Sequence, residues 1–127
     1  MDVTPLVKKG QQIIQSYAGG SFKISGIVYQ SPVIVRPEGT QVWTPSYFHL
    51  QELTPEDFRA LADLKGTADV VLLGTGAGQV FLSPLQKQAL GNLKPETMDT
   101  GAACRTYNVL MAEGRRVAAA LLPVPAG

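Results

Sequence analysis

Sulfur and imidazole are scarce in this sequence. A single cysteine, Cys104, leaves no partner for a disulfide within the chain and no cysteine cluster for a metal. A single histidine, His49, rules out the His pairs and triads that hold zinc. Charge is sparse as well. Asp, Glu, Lys and Arg make up 17% of 127 residues, against about 25% in an average domain. Eleven basic residues against ten acidic ones leave a net charge of +1. There is no basic excess to track a phosphate backbone, so nucleic acid is not an expected partner. No apolar run approaches the roughly 18 residues of a membrane span. Met1-Asp2-Val3-Thr4 has neither the basic start nor the apolar stretch of a signal peptide. The expectation is a cytoplasmic protein with no metal and no cofactor. These absences exclude much and identify no reaction.

What is present is apolar. Hydrophobic residues are 45% of the chain, which excludes disorder. A chain of this length buries about two-thirds of its unfolded surface without staples. It fits a single domain over residues 1–127. Residues 11–45 read as β-rich: Phe22-Lys23-Ile24-Ser25 alternates, Val33-Ile34-Val35 is β-branched, and Gly19-Gly20 and Pro37-Glu38-Gly39 punctuate the runs. Pro32 inside that stretch marks an edge or a bend.

The second half alternates helix and strand. Thr54-Pro55-Glu56-Asp57 starts a helix, with Leu53 and Phe58 at the spacing of a hydrophobic staple. Val70-Val71-Leu72-Leu73 reads as a strand covered on both faces. Ser83-Pro84-Leu85-Gln86 starts a second, short helix that closes with a capping box and ends at Gly91. A short strand over 95–98, a helix from Thr100 to Glu113 stopped by Gly114, and a buried strand from Arg116 to Leu122 complete the pattern. The order predicts a three-layer α/β domain with an additional β-layer from the N-terminal half.

Two segments carry candidate chemistry. Gly74-Thr75-Gly76-Ala77-Gly78 follows the buried strand, where glycines let the backbone approach an anion. Its spacing is not that of a dinucleotide fingerprint, and Gln79-Val80-Phe81-Leu82 after it reads as strand rather than helix. The alternative is a tight loop at a strand end. In the segment from Asp99 to Asn108, Asp99 or Thr100 caps the helix. Cys104 sits early enough for the dipole and Arg105 to activate a thiol, or else is simply a small buried residue. No catalytic base is evident beyond His49. Trp43, Tyr47, Phe48 and His49 form either a pocket wall or core with a polar rim. On the helix wheel Ala103, Tyr107, Leu110, Met111 and Gly114 make the core stripe. The opposite face holds Arg105, Val109 and Ala112, unusually apolar for solvent. Arg105 and Glu113 oppose the helix dipole, which calls for Asp99 or Glu96 beside Arg105 and Arg115 or Arg116 beside Glu113.

Taken together, Leu73-Gly74-Thr75-Gly76, Met98-Asp99-Thr100, Ala103-Cys104-Arg105-Thr106-Tyr107-Asn108 and Glu113-Gly114-Arg115-Arg116-Val117 resemble the MTH-like domain family of unknown function. The Trp43 region and Leu53-Thr54-Pro55-Glu56-Asp57 match it too. Relatives in that family include a mitochondrial assembly factor for respiratory complex I and an adipogenesis-associated protein. The resemblance implies a mixed central β-sheet flanked by helices and an additional sheet, with no catalytic residues. It also implies a shared binding surface at Gly74, Thr75, Gly76, Thr100, Asn108, Glu113 and Arg115. No mitochondrial presequence is evident, so a bacterial-type stand-alone member is expected.

The function expected is a non-catalytic binding or assembly-accessory module, related to respiratory-complex assembly. It would meet a protein partner or a second copy through Gly74, Thr75, Gly76, Asp99, Thr100, Cys104, Arg105, Asn108, Glu113 and Arg115. The alternative is a small-molecule or anion-binding protein, or an enzyme, with a cleft between the Gly74–Gly78 loop and the start of the last helix.

Overall fold

The computed structural model describes residues 10–125 other than Lys65. Strands β1 (Ile14–Ser16), β2 (Phe22–Ile24) and β3 (Ile27–Tyr29) form a small antiparallel sheet in that order. The alternation predicted for β2 is realised: Phe22 and Ile24 are fully buried, and Lys23 between them is exposed. Pro32 stands at a bend just before β4 (Val33–Arg36), which turns through Pro37-Glu38 into β5 (Gly39–Val42). This hairpin leaves the small sheet and enters a larger one. There it joins β6 (Val70–Gly74), β7 (Glu96–Met98) and β8 (Val117–Leu121) in the order β5-β4-β8-β6-β7. β6 runs parallel to both β7 and β8, while β4 runs antiparallel to β8 and β5, so the sheet is mixed.

Strand alternation sends side chains to two cores. Ile34, Leu73, Ala118 and Ala120 face α1 (Arg59–Ala62) and α2 (Pro84–Leu90), together with Trp43, Leu50, Phe58 and Leu61. Val33, Val35, Leu72, Val117, Ala119 and Leu121 face the other way. They pack against α3 (Thr100–Ala112) and the inner residues Ile14, Phe22 and Ile24 of the small sheet. The layers are therefore two short helices, the five-stranded sheet, and α3 beside the small sheet.

Local chemistry sets the helix starts. The carboxylate of Asp57 accepts hydrogen bonds from the Thr54 N–H and hydroxyl, at 2.8 and 3.1 Å. It also accepts from the N–H and hydroxyl of Ser46, tying the start of this turn to the segment after β5. The helix expected from Thr54 opens as a 3-10 turn over Pro55–Phe58 and becomes α-helical only from Arg59. The capping box of α2 forms as read: Gln86 N–H donates to Ser83 Oγ, and Ser83 N–H donates to Gln86 Oε1. Asp99 caps α3 by accepting from Ala102 N–H at 2.9 Å.

One expected strand is absent. Residues 79–82 have no regular structure. The outward carbonyl of Thr97 in β7 accepts from the side-chain amide of Gln79, and the N–H of Val80 donates to Thr75 Oγ1. Side chains thus occupy the places a strand's ladder would take. Val80 and Leu82 are apolar because they pack on the core, not because they pair.

Candidate functional site

The loop after β6 lies at the carboxyl ends of the parallel strands, where open α/β sheets form their crevices. Its backbone is held from below by α3. Thr100 is fully buried. Its hydroxyl donates to Leu122 O at 2.6 Å and accepts from Gly76 N–H at 2.9 Å. Its own N–H donates to Gly76 O, and Leu122 N–H donates to Gly74 O. Thr75 closes the loop from inside: its hydroxyl donates to Gly78 O at 2.6 Å and its N–H to Met98 O. Two glycines are required by geometry. A Cβ on Gly74 would lie 2.9 Å from Thr100 Oγ1 and 3.1 Å from Thr100 Cα. Gly76 sits at φ +98°, a region that L side chains rarely adopt.

Above this knot is a crevice of about 190 Å³, lined by Thr75, Gly76, Gly78, Phe48, His49 and Pro123 among others. That is below the roughly 300 Å³ at which drug-sized ligand pockets begin. It suits a small anion or a single inserted side chain. Of the aromatic cluster read from the sequence, only Trp43 is core, and its indole N–H donates to Asp57 O. Tyr47 and Phe48 are half exposed, and Phe48 with His49 rims the crevice. The His49 imidazole makes no hydrogen bond among the described residues. Its place beside the glycine loop was not readable from spacing, because the two segments meet only through the tertiary fold.

The remaining predicted site residues lie elsewhere. Asp99 is engaged at the cap. Cys104 is buried in the core on the α3 side. Burial pushes its thiol up to about 12, against the pull of the neighbouring Arg105 charge, so it stays protonated and weakly nucleophilic. Arg105 is exposed and reaches Tyr17 Oη at 3.3 Å, not Asp99 or Glu96. Asn108 is a clamp: its Oδ1 accepts from Ile14 N–H at 3.0 Å and its Nδ2 donates to Ile14 O at 2.8 Å. The preceding residue, Tyr107, donates its buried hydroxyl to Gln12 O. Glu113 ends α3 in solvent, and neither Arg115 nor Arg116 pairs with it. Arg116 instead grips Asp69 at 2.7 Å, joining the starts of β8 and β6. Arg115 lines a polar recess of about 260 Å³ with Glu38, Thr67 and Arg116. This end lies a helix length away from the crevice, about 20 Å for 13 residues.

The candidates therefore gather at three places: Gly74, Thr75, Gly76, Asp99 and Thr100 at the loop; Cys104, Arg105 and Asn108 on α3 near the small sheet; Glu113 and Arg115 at the opposite end. Among the described residues no three His, Cys, Asp or Glu side chains converge as metal ligands. No helix among them is long and apolar enough to cross a membrane.

A family model described as protein of unknown function (DUF498/DUF598) matches residues 14–122. An uncharacterised protein of Rhodobacter capsulatus is 38% identical over 115 residues, covering 88% of this chain and 85% of that one. NADH dehydrogenase (ubiquinone) 1 alpha subcomplex assembly factor 3 of Bos taurus is 32% identical over 116 residues, covering 90% of this chain. The match spans 62% of that bovine protein, less than two-thirds of its length. The solution structure of a Bordetella pertussis protein, a Mth938-like domain, matches with a TM-score of 0.75 at 28% identity, covering 100% of this chain and 95% of that one.

Proposed function

The chain belongs to the DUF498/DUF598 family, in keeping with the MTH-like resemblance of its sequence, and from that premise we propose that it is a non-catalytic binding module that accompanies respiratory-complex assembly. The observation that carries this reading is the internal engagement of the hydroxyls and the thiol among the candidate residues, which leaves the unbonded His49 imidazole none of them to activate. A catalytic group needs a free reactive atom within reach of a base and an orienting partner. Here the hydroxyls of Thr75 and Thr100 are committed to backbone carbonyls. The Cys104 thiol is held protonated. Among the described residues no buried side-chain N or O lacks a hydrogen bond. Such a site is built for shape. The name of the bovine relative supports the assembly role.

In this reading the partners are proteins, met at the glycine loop and along α3, where Val109 is 54% exposed. The protein works in the cytoplasm, and fractionation is expected to recover it there. The test is deletion of the encoding gene, followed by native electrophoresis of respiratory complex I. The expected result is loss of the assembled complex, restored by the wild-type protein and restored poorly by Val109→Asp. An unchanged level of assembled complex overturns the reading.

A second reading rests on the crevice beside His49: a small anion held by the loop. Thermal-shift measurements with phosphate, nucleotides and carboxylates test it, since a ligand that binds only the native state raises the melting temperature. No rise at millimolar ligand sinks it.

A further inference from the structure

A second recess lies away from the glycine loop, between α2 and the chain leading into β7. It encloses about 320 Å³, with Leu82, Leu90, Leu93 and Pro95 along its walls and Lys87 and Lys94 at its rim. Leu90 and Leu93 belong to the core, so the core itself reaches the surface here. Among the described residues no acidic side chain lines the recess. Neither lysine ammonium has an ion pair or hydrogen bond among the described residues. Phe81 and Leu85 flank the start of α2 at 76% and 70% exposure, the highest of any large apolar side chain among the described residues. An apolar hollow rimmed by two uncompensated cations, with protruding apolar residues on the same segment, is an anchor pocket with a charged rim.

We propose that this face docks a segment of a partner protein in which a large apolar side chain is accompanied by carboxylates. The apolar side chain fills the hollow, excluding water from Leu82, Leu90 and Leu93. The carboxylates meet Lys87 and Lys94, which have no acidic partner among the described residues. A basic segment would place like charges together, and a neutral one would leave both ammonium groups unmatched at a drying interface. A lipid surface meets the lysines equally well, but a flat bilayer does not fill a concave pocket. The proposal rests on the binding-module reading for the existence of a partner, and adds where and by what chemistry that partner binds.

The test selects random twelve-residue peptides displayed on phage against the full-length protein. The best binders are then measured by fluorescence anisotropy against wild type and Lys87→Glu/Lys94→Glu. Both substitutions are at exposed positions, and an unchanged urea midpoint certifies the fold of the variant. The expected result is enrichment of peptides combining Leu or Phe with Asp or Glu. Their affinity should fall at least tenfold on charge reversal and also fall with Phe81→Ser. Selected peptides without acids, binding indifferent to the charge reversal, or no enrichment at all overturns the proposal. So does cosedimentation with phosphatidylglycerol vesicles that the double variant abolishes while no peptide is enriched, which assigns the face to a membrane. The two readings fail separately. If deletion of the gene disrupts the complex but no acidic peptide binds, the docking face is wrong and the assembly role stands. If deletion has no effect, the assembly role fails whatever the peptides do.

Discussion

Thr100 and Gly74 form a close junction between α3 and the end of β6. The threonine hydroxyl bridges two backbone segments, and the glycine lets its helix come close enough to do so. Thr100→Val keeps the shape and removes the bridge, leaving Leu122 O without its donor and Gly76 N–H without its acceptor. Urea unfolding is expected to show a loss of about 1–3 kcal/mol, the penalty for buried polar groups left unpaired. Gly74→Ala drives a methyl against backbone that cannot swing aside, and a loss of similar size, about 1–3 kcal/mol, is expected from overpacking. Asp57 makes a prediction in pH. Burial works to raise its pKa, but hydrogen bonds from Thr54 and Ser46 outweigh it and hold the carboxyl below its ordinary 3.8. A depressed folded value means the stabilisation is complete above the unfolded pKa and disappears as pH falls through the folded one. Wild type should therefore lose more stability than Asp57→Asn between about pH 5 and about pH 3, and the two urea midpoints should converge at the acid end.

At the scale of elements, Asn108 acts as a surrogate strand. By pairing with both backbone groups of Ile14 it fastens β1, and with it the small sheet, to α3. Asn108→Ala is expected to cost about 1–3 kcal/mol. Amide exchange should accelerate at Ile14 and its neighbours while the amides of β8 stay protected. Equal acceleration everywhere would mean the clamp is not local. Most elements were readable because their signals are local. A cap needs only Ser83 and Gln86 at the right spacing, and β6 only an unbroken apolar run. The failures lie where a distant group overrides a local pattern. Residues 79–82 look like strand until the Gln79 side-chain amide donates to the Thr97 carbonyl and the Val80 N–H to Thr75 Oγ1. The partners expected for Arg105 and Glu113 were sequence neighbours, whereas Arg105 reaches Tyr17, 88 positions away. Asn108 was named as a candidate for binding, and the structure gives it a holding role that only the fold reveals.

At the scale of the whole molecule, the sequence places unusual apolarity on the outer face of α3, at Val109 and Ala112. Val109 does stand open there, but Phe81, Leu85, Ile27 and Val28 are more exposed than it is. The apolar surface is thus spread over α2 and the small sheet as well. No helical wheel drawn for α3 alone reveals that. The chain's order of strands matters in another way. β8, the last strand among the described residues, sits in the middle of the five-stranded sheet, bonded to β4 on one side and β6 on the other. Until residues 117–121 are made, β4 and β6 each present an open apolar edge and the sheet exists only as two pieces. The sheet cannot close until residues 117–121 are available, and pairings between distant parts of a chain form slowly. A chain ending at Glu113 is expected to lack a cooperative urea transition and to precipitate or be degraded, which circular dichroism and limited proteolysis would show. For a ribosome making this protein, the middle of the sheet is delivered after both of its flanks, and quality control cannot judge the fold until β8 has emerged.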